Sequence, residues 1–151
     1  MNTDDHRTRV LFDTNFFISF LLHPENPGSS IGQLLALAMA GSFQLVVPDD
    51  VIFELRKSIA RKPYLNRSIE QADLEALLLI IETLRLSTPS VPGPYPRIVR
   101  DRGDDYLLAH AQVLDVDILV TGDKDLLVLS EHLNRPRIMN VREFLELIRP
   151  E

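Results

Sequence analysis

Acids recur at four places in this chain where a strand has just ended or a helix is about to begin. Asp13 closes the apolar run "RVLF". Glu54 lies in the first turns of the segment after "QLVVP". Asp101, Asp104 and Asp105 crowd into "RDRGDD", and Asp123 and Asp125 into "TGDKD". Carboxylates gathered in one place suit hard divalent cations such as Mg²⁺ or Mn²⁺, which prefer oxygen ligands. Two such ions about 3.5–4 Å apart can activate a water and stabilise both oxygens of a phosphodiester displacement. Without a cation the same acids would repel one another and raise their own pKa values.

Each acid also has a plainer reading. Asp104 and Asp105 open a helix, where acids serve as caps and partners of the helix dipole. Asp49 and Asp50 meet the same objection. Glu54 is surrounded by Ile52, Phe53 and Leu55, so both readings stand for it. Asp123 and Asp125 read equally as turn residues. Asp13 has few structural excuses, because apolar residues flank it on both sides and burying a carboxylate costs several kcal/mol without compensation. The set argues for chemistry more strongly than any member.

The elements that must position these acids follow from the pattern between them. Met1 to Thr8 reads as a polar tail, and residues 9–151 as one domain. Strands are expected at Arg9–Phe12 and in "FQLVVP", "DILVT" and "RIMN". Helices are expected in "NFFISFLL", in "SSIGQLLALAMAG" with serine caps and a closing glycine, and in "DDVIFELRKSIARKP" with acidic N-cap candidates. Another, "SIEQADLEALLLIIETLRL", is expected to open on a capping box of Ser68 and Gln71. "DDYLLAHAQVLD", "GDKDLLVLSEHL" (turn then helix) and "VREFLELI" complete the set. The proline-rich stretch Ser87 to Ile98 is too turn-laden for regular structure. Short apolar strands alternating with amphipathic helices predict an α/β fold with a parallel sheet covered on both faces, whose sites form at the carboxyl ends of the strands.

Composition narrows the function classes. With 151 residues, 45% hydrophobic and 25% charged, the chain is expected to fold around a proper core. No apolar run approaches the roughly 20 residues that cross a bilayer, so no membrane partner is expected. The start "MNTDDHRT" does not read as a signal peptide. The absence of cysteine rules out a disulfide framework and fits a reducing cytoplasm. A net charge of −6 speaks against a broad basic nucleic-acid face, but not against an acidic pocket that meets phosphates through cations.

In order and spacing, these segments resemble the PIN-domain ribonucleases. "LFDTNFFISFLL" resembles their opening motif, "PDDVIFELRKSI" the second, and "RDRGDDYLLAHAQVLDVDILVTGDKDLL" the third and fourth, while "RIMNVREFLELI" is similar to the closing strand and helix. The "TGDKDLL" block resembles the VapC-like toxins of toxin–antitoxin pairs. "RDRGDD" departs from that subgroup, which often has a proline after the first acid, but the departure touches no expected ligand.

The resemblance implies a three-layer α/β/α fold and Mg²⁺- or Mn²⁺-dependent hydrolysis of RNA by water attacking phosphorus in line. It maps the family's catalytic and metal-binding acids onto Asp13, Glu54, Asp105 and Asp123. Asp105 is preferred to Asp104 because it stands four residues before Ala109, where "DYLLAHA" matches the family's pattern. Asn15, Asp101, Asp104, Thr121 and Asp125 are secondary: Asn15 as a partner for Asp13 or the metal, Thr121 for the metal-side carboxylates. Arg56 and Lys57, with Arg61 and Lys62, and Arg100 and Arg102, with Arg97, are candidates to hold an RNA backbone. For the first group a solvated helix face reads as well. Toxin-like members pair with a small antitoxin, and many form homodimers; the apolar helices "NFFISFLL" and "IGQLLALAMA" are candidate interfaces.

The histidines, at 6, 23, 110 and 132, are scattered singly and do not suggest a Ser–His–Asp arrangement. His110 reads as a packing or surface residue. Two rivals remain: a PIN-like module that binds RNA or protein without cleaving, and an aspartate-dependent phosphatase. The second would want another acid two residues after Asp13, where Asn15 stands.

Overall fold

The computed structural model describes residues 7–23, 30–85 and 102–149, the side chains of 102–106 excepted. The N-terminal tail up to residue 6, the serine cap expected before residue 30, and the proline-rich stretch lie outside the described residues. So do Arg97, Arg100 and Asp101, and the side chains of Arg102, Asp104 and Asp105.

Four short strands, β1 (Arg9–Phe12), β2 (Gln44–Val46), β3 (Ile118–Val120) and β4 (Arg137–Met139), form one sheet in the order β2-β1-β3-β4. All neighbours are parallel, with Leu11 opposite Val46 on one side and Leu119 on the other. The strands are almost wholly buried, which explains their unbroken apolar sequences: they have no solvent face to alternate toward.

The helices are α1 (Thr14–Leu22), α2 (Ser30–Met39), α3 (Asp49–Arg61), α4 (Pro63–Ser68), α5 (Gln71–Leu84), α6 (Arg102–Val113), α7 (Lys124–Val128) and α8 (Val141–Ile148). They pack on the sheet to give the expected three-layer α/β/α arrangement. α1 sends Phe16, Phe17, Ile18 and Leu21 into the core. Phe12 of β1 sits among Phe16, Phe43 and Phe144 with ring centroids 4.1–5.9 Å apart, so the residue before Asp13 is held on several sides. No helix among the described residues is long and apolar enough to cross a membrane.

Helix ends follow local chemistry. α2 closes in a Schellman motif: Ser42 N–H bonds to Leu37 C=O and Gly41 N–H to Ala38 C=O, with Gly41 at φ 83°. α6 closes the same way through Val116 to Ala111 and Asp115 to Gln112, Asp115 taking the left-handed position at φ 55°. Asn140 and Glu143 form a reciprocal capping box at α8.

Four local expectations change. The capping box of Ser68 and Gln71 does not form; Ser68 ends α4, and α5 starts behind Glu70 without a side-chain cap. α4 itself was not expected; Pro63 suits a first helical turn, and the fully buried Leu65 anchors it. α3 is capped by Pro48, so Asp49 and Asp50 lie in its first turn rather than at the cap. The helix after "TGDKD" is also short, passing into a 3₁₀ turn at Leu129–Glu131.

Candidate active site

From β1 the chain crosses to β2 on one side, then returns past β1 to β3 on the other. In open parallel sheets, ligands bind outside the carboxyl ends at such a reversal, here between β1 and β3. Asp13 follows β1 and Thr121 follows β3, so the topology delivers both to that crevice. The strands are tied there, because Asp13 N–H bonds to Val120 C=O at 3.2 Å and Thr121 N–H to Met139 C=O at 3.0 Å.

A short relay joins the side chains. Asp13 Oδ1 accepts the Phe16 amide at 3.0 Å, which also caps α1. Asp13 Oδ2 accepts the Thr121 hydroxyl at 2.7 Å, and Thr121 Oγ1 in turn accepts the Asp123 amide at 3.1 Å. Thr121 is buried. Asp123 caps α7 by accepting the Asp125 amide at 2.8 Å. For Asp13 and Asp123 the capping reading and the site reading are therefore compatible, since each carboxylate is oriented by the helix it starts.

Burial pushes the Asp13 carboxyl above its ordinary pKa. Bonds from Thr121 and from the amides of Phe16 and Gly122 offset part of that rise, and the charge of Asp123 adds to it. Among the described residues, no cation pairs with Asp13 or Asp123.

Of the four principal acids, the structure thus brings Asp13 and Asp123 together. Glu54 lies on α3, partly exposed and 4.0 Å from Lys57 Nζ. Among the described residues, no three metal-ligating side chains converge. Asp104 and Asp105 fall in the first turns of α6. Of the secondary candidates, Thr121 bonds directly to Asp13, and Asp125 sits in the first turn of α7. Asn15 is exposed, and the bonds to Asp13 come from other residues. Arg56 lies 3.2 Å from Glu75 of α5.

Asp49 and Asp50 have different fates. Asp49 meets Arg85 at 2.6 Å, and Arg85 also bonds to Val47 C=O, fastening the end of α5 beside β2. Asp50 faces His110 of α6, with Nε2 3.4 Å from Oδ2. That pair gives no motif in the sequence, although His110 shares the helical stripe of Leu107, Ala111 and Leu114. A polar residue in such a stripe is a signal that it has a buried partner. A cavity of about 520 Å³ lies elsewhere, at the amino edge of the sheet beside Asp117, Arg135 and Arg137. Its arginines and its distance from the acid pair make it a poor seat for a cation.

Compared with known protein families, residues 9–125 match the family model described as PIN domain. No curated protein and no solved structure matches the chain.

Proposed function

The chain belongs to the PIN-domain family, whose members generally have a nuclease-type fold, and from that premise we propose that it is a ribonuclease dependent on Mg²⁺ or Mn²⁺. The observation that carries the reading is the half-buried Asp13, held by Thr121 and set against a second acid at the sheet's reversal point, with no described cation beside it. Such a pair is unfavourable by itself and becomes favourable once a cation joins it.

The donors fit a hard divalent ion: they are carboxylate oxygens, with the Thr121 hydroxyl orienting one of them. Asp13 and Asp123 would hold the ion, with Glu54 from α3 and Asp105 from α6 as the further carboxylates. Such an ion, when bound, supplies Lewis acidity and a water of lowered pKa. The chain's own part is positioning. Thr121 and Phe16 fix the Asp13 carboxylate through both oxygens, and the aromatic cluster behind Phe12 keeps the strand end from shifting. No side-chain nucleophile is required.

By its "TGDKDLL" block we read the protein further as a VapC-like toxin working in the cytoplasm, held in check by a small antitoxin and assembling as a homodimer. The rival reading is a PIN-like module that binds RNA or protein without cleaving.

RNA cleavage with Mn²⁺ or Mg²⁺ separates the two. The wild-type protein should cleave, EDTA should stop it, and Asp13→Asn and Asp123→Asn should each lose about 1,000-fold or more, matching several kcal/mol of lost charge stabilisation. Equal background cleavage by wild type and both variants would establish the binding module instead.

A further inference from the structure

The cavity of about 520 Å³ at the amino edge of the sheet lies at the other end of the strands from Asp13 and Thr121. Nothing in the proposed reaction uses it. Its wall is of two kinds. Ile118 of β3 and Leu147 and Ile148 of α8 make an apolar side, where Leu147 leaves half of its surface to water. Arg135 and Arg137 make a cationic side, and the two differ. Asp115 and Asp117 grip Arg135 through Nε and one terminal nitrogen at 3.2 and 2.8 Å. That grip fixes the plane of the guanidinium and leaves its other terminal nitrogen with no partner among the described residues. Arg137, at the start of β4, has no ion pair or side-chain hydrogen bond among the described residues. The two acids answer the charge of Arg135 but not that of Arg137. In a chain of net charge −6, an unanswered arginine on a concave wall makes one place where an anion is favoured.

The size and the mixed wall narrow the ligand. A bare oxyanion would fill little of the space, which falls in the range of small-molecule sites that join apolar walls to a few placed polar groups. A guanidinium offers a fork to phosphate and a flat face to a planar ring. Asn134, also on the wall, can both donate and accept, as the edge of a base requires. We propose that this cavity binds a small organic phosphate of mononucleotide size. Arg137 and the remaining terminal nitrogen of Arg135 take the phosphate, and the flat body lies on Ile118, Leu147 and Ile148. The site is separate from the acid pair and needs no cation, so it stands whether or not the nuclease reading holds.

The test titrates the full chain with AMP, GMP, CMP and UMP by calorimetry, in EDTA so that no cation bridges phosphate to the acids. The matching nucleosides and inorganic phosphate are the controls. At least one mononucleotide should bind with a Kd under about 1 mM, and its nucleoside and inorganic phosphate at least about tenfold more weakly. Amide NMR signals should move around Ile118, Arg137 and Leu147 and stay in place at Asp13 and Thr121. Arg137→Met keeps the stem and removes the charge; it should weaken binding by about 10–100-fold, the factor that a charge-assisted hydrogen bond carries. Leu147→Ala should cost about fivefold through lost apolar contact. Asp13→Asn should leave the affinity unchanged.

Absence of binding by all four mononucleotides overturns the proposal. So does a nucleoside that binds as tightly as its nucleotide, because no anion is then recognised, or inorganic phosphate that does so, because no body is. Unchanged affinity in Arg137→Met overturns it too, as do NMR shifts gathered at Asp13 and Thr121, which would put the ligand at the acid pair. The Arg137 backbone keeps its bond to Asp117 C=O whatever its side chain, so the variant should fold. Should it not, Arg137→Gln repeats the removal of charge. Failure of the nuclease reading looks different: RNA then stays uncleaved with Mn²⁺, while mononucleotide binding in EDTA persists.

Discussion

Two aspartates sit at opposite ends of the β1–β3 seam, and their surroundings differ in one respect. Asp117, just before β3, accepts the Arg9 amide at 2.8 Å and pairs with Arg135 at 2.8 Å. Its backbone also bonds to Arg9 and Arg137, so it pins the starts of three strands. Asp13, just after β1, is bonded with comparable care through Thr121 and Phe16, yet no described cation answers its charge. Both acids help to hold the sheet, but among the described residues only Asp117 has a cation beside it. A carboxylate drawn partly out of water costs stability unless charge or hydrogen bonds compensate it, and Asp117 has both an arginine and an amide. Under the proposed function, a bound divalent ion would do for Asp13 what Arg135 does for Asp117.

The sharpest way to break the comparison is to neutralise each acid in turn. Asp13→Asn should abolish metal-dependent cleavage, by about 1,000-fold or more, while leaving the metal-free protein as stable as wild type or more so. Asparagine caps helices as well as aspartate does, so α1 keeps its start. Asp117→Asn should do the reverse. It should hold cleavage within a few-fold and cost about 1–2 kcal/mol of stability, through one weakened charge-assisted bond and one lost ion pair. Parallel assays of cleavage and denaturant midpoint give both numbers. If Asp117→Asn lost activity as Asp13→Asn does, the distinction between the two ends would collapse.

Only the Asp13 end of this contrast was legible in the sequence, and the reason is geometric; Asp117 and its partner Arg135 gave no signal. A short apolar strand that ends on an acid, repeated after β1 and β3, fixes both acids to one edge once the strands are parallel. Asp13 and Asp123 stand out that way, whereas Thr121 entered only through the resemblance to the PIN-domain family. What escaped depends on contacts between distant segments. Asp49 and Asp50 are neighbours of the same type, but one meets Arg85 and the other His110, and only the packing of α5 and α6 separates them. α4 hid for another reason: Leu65 is its one buried residue, too little for any periodic signal. Ser68 and Gln71 had the spacing of a capping box, but the backbone at Ser68 was already helical.

A smaller effect tests the proposed ion directly. If a cation completes the Asp13–Asp123 pair, Mn²⁺ at about 100 times its dissociation constant should stabilise the wild-type protein by about 2.7 kcal/mol. For a chain of this size that is a rise in Tm of about 5–10 °C. Thermal scans of Asp13→Asn and Asp123→Asn should show little of the shift, and those of Asp117→Asn nearly all of it. An equal shift in every variant would place the ion elsewhere.

The finest test is the pH dependence of metal-free protein, where only the sign need be known. Asp13 in the folded chain titrates above the ordinary 3.8, chiefly because of burial. Between 3.8 and that raised value the folded state holds more protons than the unfolded one, so the Asp13 contribution to stability falls as pH rises. Above the raised value the loss is complete and constant. Other acids titrate over the same range, but the difference in Tm between Asp13→Asn and wild type cancels them. That difference, in favour of the asparagine variant, should grow as pH climbs from 3.8 through the window and then level off. Saturating Mn²⁺ should invert it at neutral pH, because the ion stabilises only the chain that keeps its carboxylate. A difference that stays flat, or shrinks with rising pH, would mean that Asp13 is already compensated like Asp117, and that the two ends of the seam are electrically alike.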